Sequence, residues 1–493
     1  MNELFGYING FFENILFFDI FFGQIEGTKF PFVVAWLIAG GVFLTVKMGF
    51  VNLKMLGHSL KIVAGKYHTK EDKGLISPFQ SLATALSATV GIGNIAAVSI
   101  AISWGGAGAA FWMILAGFLG MTLKFTEVTL SIKYRKFLPD GSILGGGMQY
   151  LSQGLADKGM AGAGKVLALV FAFFMILGAI GAGNTFQVSQ SLSIVQGQIP
   201  FFADNSLVFG SLKDNGYIFG LILAGITSLV IIGGIKRIAQ VAEKIVPIMV
   251  VFYLLMVVWV LGTYFTAIPD AFALIFREAF TPTAVAGGMF GAMAQGFQRA
   301  VFSNEAGLGS AGIAHAPARV KYPVRQGLVS LYEPFIDTVV VCTMTALVVI
   351  LTGTYTGGTE ALDAAIAAKQ GAIITSTAFG SVVSWFPSIL GIAIFMFAFS
   401  TMISWSYYGE RAWVYIFGAK SSIVFKLIFL AFIVIATITD TGTMVDFSSI
   451  LFLALAVPNI FGLLMMSGDV RKMLTEYLAK LKSGELDREA IRD

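Results

Sequence analysis

The sequence predicts an all-α transmembrane fold of eleven helical spans, ten of them in two inverted halves of five behind one extra N-terminal helix. Three observations carry this reading. The chain is too apolar for water, its apolar runs have the length of spanning helices, and its basic residues fall on alternate connections. Of 493 residues, 57% are hydrophobic and 12% charged, and the mean hydropathy is +0.82. Soluble domains carry about 25% charged residues, so half that charge cannot coat a globular surface. In lipid, a spanning segment must satisfy its own backbone as a helix or within a closed barrel. Barrel strands would alternate in polarity over ~10 residues. The runs here are uniformly apolar over about 20 residues, which makes them helices.

In chain order the spans fall at roughly 30–50, 79–103, 108–132, 166–192, 216–238 and 245–267. The remaining five fall at roughly 284–313, 330–352, 381–408, 424–439 and 447–467. The loops test this order. Lys47, Lys54, Lys61, Lys66, Lys70 and Lys73 follow the first span, and the alternate connections repeat the pattern. They hold Lys133, Arg135, Lys136, Lys158 and Lys165, then Lys236, Arg237 and Lys244, then Arg319, Lys321 and Arg325, then Arg411, Lys420 and Lys426. The other side holds Lys29, Lys213, Arg277 and Lys369. The positive-inside rule then places the N-terminus outside and the C-terminus in the cytoplasm, as expected for a multi-pass protein of the cytoplasmic (inner) membrane. An even span count would destroy the segregation. The expected organisation is an N-terminal helix and loop (1–75), two five-span halves (76–267 and 268–467) and a charged cytoplasmic tail (468–493) that reads as a surface helix.

Several function classes are disfavoured. The net charge of +4 gives no basis for nucleic-acid binding. The single cysteine, Cys342, lies in an apolar run, which excludes a disulfide framework and reads as packing. His58, His68 and His315 form no metal-ligand spacing. An enzyme would need a nucleophile with its base or a metal cluster, and neither is legible. No cofactor is expected. Filter or ring motifs of a channel are also missing from the pattern. The N-terminus, with Glu3, Glu13 and Asp19, lacks the basic start of a cleavable signal peptide.

Two segments match each other: Ala88-Thr89-Val90-Gly91-Ile92-Gly93-Asn94-Ile95-Ala96-Ala97 and Glu305-Ala306-Gly307-Leu308-Gly309-Ser310-Ala311-Gly312. Each places Gly-x-Gly before an amide or hydroxyl, in the first and sixth of the ten core spans. Five spans apart means opposite orientation. Interrupted helices at matching positions of two halves point to a transporter binding site. Glycine lets the helix open, and open backbone in a membrane is tolerated only where it lines a cavity. Freed carbonyls suit a hard cation, and freed amides at a half-helix start suit a carboxylate. Small residues in spans also serve close packing, the reading given to Gly40, Gly41, Gly117, Gly120, Gly178, Gly181 and Gly183.

These residues resemble the alanine/glycine:cation symporter family, the sodium:alanine symporters. Gly105-Gly106-Ala107-Gly108-Ala109-Ala110-Phe111-Trp112-Met113 resembles its signature stretch, departing at Ile114, where a second Trp is usual. Val90–Ala96 is similar to the family's first core helix. The most specific run is Arg299-Ala300-Val301-Phe302-Ser303-Asn304-Glu305-Ala306-Gly307-Leu308-Gly309-Ser310-Ala311. Pro323–Leu328, Glu333–Thr338 and Trp405–Glu410 complete a likeness over nearly the whole chain. The resemblance implies the leucine-transporter-like fold, sodium as coupling ion, and a small neutral amino acid as substrate, with alanine or glycine favoured over a larger one such as glutamine.

In that fold the substrate lies between the first, third, sixth and eighth core helices. The expected contacts are Thr89, Gly91, Gly93 and Asn94 on the first, Gln187 on the third, Phe290 and Gly291 on the sixth, and Thr401 and Trp405 on the eighth. Gln187 also fits an interhelical hydrogen bond, and Phe290 fits core packing. Thr401 and Trp405 are four apart and share a face. Gly287-Gly288-Met289-Phe290-Gly291 is the expected unwound stretch of the sixth helix, with Gly307-Leu308-Gly309 structuring its cytoplasmic end. The expected sodium ligands are Ser87, Ala88, Val90, Ser400, Thr401 and Ser404, although span hydroxyls also bond back to their own helix.

Charges inside spans are functional by default and usually paired. Lys124 and Glu127, one turn apart, and Arg299, Glu305, Glu333 and Asp337 read as a cytoplasmic gate or ion-pair network. None is expected in the ion site, which argues against proton coupling.

Overall fold

The computed structural model describes residues 2–24, 29–139, 141–208, 214–281 and 288–490. Gly287 and the cations Lys213 and Arg492 lie outside them. The described chain is mostly helical and multi-pass. Seven helices are long and apolar enough to span, eight when the bent pair Pro78–Thr89 and Ile92–Gly105 is taken as one. Large apolar side chains on the outer faces stay uncovered: Leu255 and Trp259 are 64% and 62% exposed. An apolar surface of this kind belongs against lipid.

Among the described residues each expected span overlaps helix, although seven or eight helices, not eleven, meet the length and apolarity of a span. The first is α2 (Phe32–Lys47), preceded by a helix the hydropathy reading left out, α1 (Asn2–Leu16). Its polar positions Asn2, Glu3, Asn9, Glu13 and Asn14 conceal an element that packs on the last span. Core helix one is split into α3 (Pro78–Thr89) and α4 (Ala96–Gly105). Ser77 caps α3 in a capping box with Gln80, and Pro78 opens its first turn. Then follow α5 (Gly108–Tyr134), α6 (Ala161–Gln198), α7 (Gly216–Ile231) and α8 (Gly234–Thr263).

The chain continues with α9 (Gly288–Asn304), α10 (Ala311–His315), α11 (Pro323–Thr352), α12 (Phe386–Phe417), α13 (Ser422–Thr437) and α14 (Thr441–Lys482). Three of the expected spans, α2, α7 and α9, have 16, 16 and 17 residues and fall short of the length that qualifies the others. The expected tail is not a separate surface helix. Helix α14 runs on from the last span and buries Leu474 and Tyr477, and Glu489 beyond it reaches Lys321 and Tyr322.

Helix α9 packs lengthwise along α5. Gly296 permits this approach, because a Cβ there would lie 2.5 Å from the Ala109 carbonyl oxygen.

Candidate functional site

The first core helix comes undone where its glycines lie. Helices α3 and α4 are bent by 54°. In an unbroken helix the amides of Ile92, Asn94 and Ile95 would return to the carbonyls of Ala88, Val90 and Gly91. Instead they go to Gln187 Oε1 at 3.3 Å, Gly91 O at 3.2 Å and Ile92 O at 3.0 Å. The carbonyls of Ala88 and Val90 thereby lose their ladder donors. Asn94 Oδ1 accepts the Gly91 amide at 2.9 Å and holds the break open.

The third and eighth core helices close around it. Residues Gly181–Thr185 of α6 form a π-helical turn, a feature frequent at functional sites. The turn carries Gln187 to the break, and its Nε2 donates to Ala182 O at 2.9 Å. On α12, Thr401 Oγ1 donates to Ser87 O at 3.2 Å, and Ser87 Oγ donates to Ser400 O at 2.8 Å. Ser404 Oγ is buried without a partner among the described residues. A Cβ on Gly91 would fall 2.3 Å from Thr401 Oγ1, and one on Gly93 would fall 3.3 Å from Ser303 Cα. Trp405 is 1% exposed and rests on Gly183, where a Cβ would lie 2.3 Å from its own.

Thus Ser87, Ala88, Val90, Gly91, Gly93, Asn94, Gln187, Ser400 and Thr401 gather at one place, while Ser404 and Trp405 lie on the next turn of α12, Trp405 against Gly183 of the third core helix. Thr89 belongs to the same helix end, but its hydroxyl bonds back to Ala85 O at 3.2 Å. Phe290 and Gly291 do not gather there. They lie on the first turn of α9, and Phe290 packs against Phe21 and Phe30 at ring distances of 5.1 and 5.6 Å. The expected unwound stretch is helical from Gly288 onward. The sixth core helix opens later, between Asn304 and Ala311, where Glu305, Gly307 and Gly309 take φ of +59°, +87° and +77°. Glycine is required at the last two positions because they also lack room: a Cβ on Gly307 would lie 2.8 Å from Leu37, and one on Gly309 2.8 Å from Phe171. The two matching Gly-x-Gly segments are therefore the two breaks.

The span charges separate into different sites. Lys124 pairs at 2.9 Å with Glu333, not with its helical neighbour Glu127. Glu333 also binds His315 Nε2 at 2.6 Å, and Gln326 and Ser81 face the other ring nitrogen. Glu127 accepts from Asn459 at 2.9 Å. Arg299 belongs to neither group and donates to Ser449 Oγ at 3.0 Å. Asp337 enters the site, contrary to expectation. Its Oδ1 accepts from Asn94 Nδ2 at 2.7 Å and Ser303 Oγ at 3.1 Å, and its Oδ2 from Thr338 at 2.7 Å. Cys342 joins that cluster, with its sulfur 3.3 Å from Asn94 Nδ2. Ser303, Thr338 and Cys342 carried no local signal. The π-helical turn Phe335–Cys342 brings Asp337, Thr338 and Cys342 round to the break.

Two broken helices that carry the matching Gly-x-Gly segments, with bare peptide groups, hydroxyls and the Asn94 and Gln187 amides converging beside the first, are the architecture of a secondary transporter. The fold is shared with MhsT, solved in complex with L-phenylalanine: the TM-score is 0.53 at 14% identity, over 85% of this chain and all of that one. The chain belongs to the sodium:alanine symporter family, whose model matches residues 17–491. It is 39% identical over 446 residues to the sodium/alanine symporter AgcS of Methanococcus maripaludis, covering 89% of this chain and 92% of that protein. It is 31% identical over 457 residues to a protein of Bacillus subtilis named as a probable sodium/glutamine symporter, GlnT, covering 92% and 89%. The chain is thus a sodium-coupled amino-acid transporter and not an enzyme.

Proposed function

We propose that this chain carries alanine or glycine into the cell together with sodium, by alternating access around the break at Val90–Ile95. The observation that carries this reading is the crowding there. Thr401 stands where a Gly91 side chain would be, and Trp405 lies directly on Gly183. Walls this close favour a methyl or a hydrogen as the substrate side chain. The AgcS likeness supports the same choice. The GlnT likeness supports a larger neutral amino acid such as glutamine, which would need Trp405 to turn away.

In this reading the substrate carboxylate meets the backbone amides of the Gly91–Gly93 turn, taking the Gly91 amide over from Asn94 Oδ1, with the released Asn94 and Gln187 orienting the zwitterion and Thr89 at the helix end. The donor set fits sodium: hard oxygens from the Ala88 and Val90 carbonyls, the Ser400 and Thr401 hydroxyls, and the Ser404 hydroxyl, which has no other partner among the described residues. Sodium, when bound, supplies the charge that balances the substrate carboxylate. Phe290 and Gly291 have no role in this site. The eleven-span order, with two inverted halves at 76–267 and 268–467 and the N-terminus outside the cytoplasmic membrane, completes the reading. The buried Lys124–Glu333–His315 cluster and the Glu305 contacts act as the inner gate.

The experiment is uptake into proteoliposomes under an imposed sodium gradient, with alanine, glycine, serine and glutamine in competition. Accumulation of alanine and glycine against their gradients, with weak competition by glutamine, is expected. Preferential accumulation of glutamine would overturn the substrate assignment.

A further inference from the structure

A cavity of about 480 Å³ lies between α9 and α14, walled on one side by the N-terminal segment. It is separate from the break at Val90–Ile95, and none of the residues assigned there except the excluded Gly291 lines it. Three cations border it. Lys29 is matched by Glu13 at 3.2 Å, and Lys369 by Asp446 at 2.5 Å. Arg299 has no carboxylate within ion-pair distance among the described residues, although it is only 6% exposed. Its fixed contacts are the Ser449 hydroxyl and the face of Phe302, whose ring centre is 5.9 Å from the guanidinium carbon. Its Nε–H is buried with no acceptor among the described residues. A guanidinium withdrawn from water with no carboxylate in contact is unfavourable, and Asp446, across the same cavity, acts on it only from beyond ion-pair distance. Facing a cavity with donors unspent, it is complete only when an anionic group enters, and a carboxylate matches its planar fork.

We propose that this cavity is a second, transient binding site for the transported amino acid, in which Arg299 receives the carboxylate and Asp446 the ammonium group. Asp446 has acceptor capacity beyond its contact with Lys369. The inference rests on the preceding reading of the substrate as a zwitterionic amino acid. With the N-terminus outside, the cavity stands on the path from the exterior to the break. The N-terminal segment, through Asn9, Glu13 and Phe17, then forms part of the vestibule wall.

Trp104 lines the same cavity, 38% exposed, with the Lys369 ammonium 5.1 Å from its ring centre, and so can report occupancy by fluorescence. The test titrates the full-length protein in nanodiscs with alanine, propionate, alaninamide and chloride, in parallel with sodium-driven uptake. Alanine and propionate should change the emission, alaninamide should not, and Trp104→Phe should remove the response. Arg299→Gln should weaken alanine binding in the cavity by about tenfold or more, as expected for losing a charge-assisted contact, and raise the apparent KM of uptake. Arg299→Lys should restore part of both, which a merely unfolded variant would not. A response to chloride alone would overturn the proposal in favour of an inorganic-anion site. An unresponsive cavity in a protein that still accumulates alanine would also overturn it while leaving the proposed function standing. Loss of all amino-acid uptake in the wild type would instead remove the reading on which it rests.

Discussion

The indole N–H of Trp405 donates to Glu305 Oε1 at 2.8 Å, joining the eighth core helix to the break in the sixth. Glu305 is buried at 1% exposure with φ of +59°, an unfavourable conformation for a side chain this long, and Ser310 binds its other oxygen. One residue thus ties the second break to the wall of the substrate site proposed at the first. Trp405→Phe keeps the ring but removes the donor. Leaving the carboxylate short of a partner should lower stability by about 1–3 kcal/mol, read by thermal unfolding in detergent. Trp405→Ala should admit bulkier amino acids. Unchanged competition by glutamine in that variant would mean that Trp405 does not wall the site.

Gly91→Ala places a methyl 2.3 Å from Thr401 Oγ1 in a fully buried position. Sodium-driven uptake should be abolished while the protein still folds in the membrane, checked by monodispersity and helical circular dichroism. Thr401→Ala and Ser404→Ala remove proposed sodium ligands without adding bulk. Each should raise the sodium concentration needed for half-maximal uptake more than it raises the alanine KM. An effect on alanine alone would remove these hydroxyls from the ion site.

The Lys124–Glu333 pair is fully buried. Removing one partner of such a pair leaves an uncompensated charge, at a cost of about 3–5 kcal/mol. Lys124→Met should therefore destabilise strongly. The double variant with Glu333→Leu should recover a large part of the loss, measured as a thermal-stability cycle. A double variant no better than the single would show that the pair is held by its other contacts, with His315 foremost.

On the connecting helix Leu56–Val63, burial together with nearby Lys61 pushes the His58 imidazole down to about 4 from an ordinary 6.5. The folded protein then resists a proton that the unfolded chain accepts, so stability should fall as pH drops from about 6.5 towards 4. His58 Nε2 lies 2.9 Å from the Tyr477 hydroxyl on α14, so loosening should appear where this loop meets that helix. His58→Gln should flatten this part of the pH-stability curve, and an unchanged curve would exclude His58 as its source.

Part of the site was legible in residue order because its chemistry is local. Gly91-Ile92-Gly93-Asn94 carries both the freedom to unwind and the amide that holds the opening, and Gly307-Leu308-Gly309-Ser310 carries the same freedom with a hydroxyl that donates to Glu305. The family likeness shifted the second opening to Gly287–Gly291, and the structure returns it to the segment that matches the first. Asp337 and Arg299 were misplaced for another reason. Both sit in spans, and which neighbour a span charge meets depends on helix rotation. The π-helical turn at Phe335–Cys342 turns Asp337 toward Asn94, and Arg299 faces α14 rather than the Lys124 cluster.

Apolar length, charge segregation and paired glycine segments determined that this chain is helical, membrane-borne and broken at two related points, because each property is fixed within a window of about twenty residues. Tertiary structure decided which groups face each break: Thr401 against Gly91, Trp405 on Gly183, Glu305 beneath Trp405, and an unmatched Arg299 at the cavity. Those neighbours are often more than a hundred residues apart and are selected by close packing between helices, for which adjacent residues carry no code.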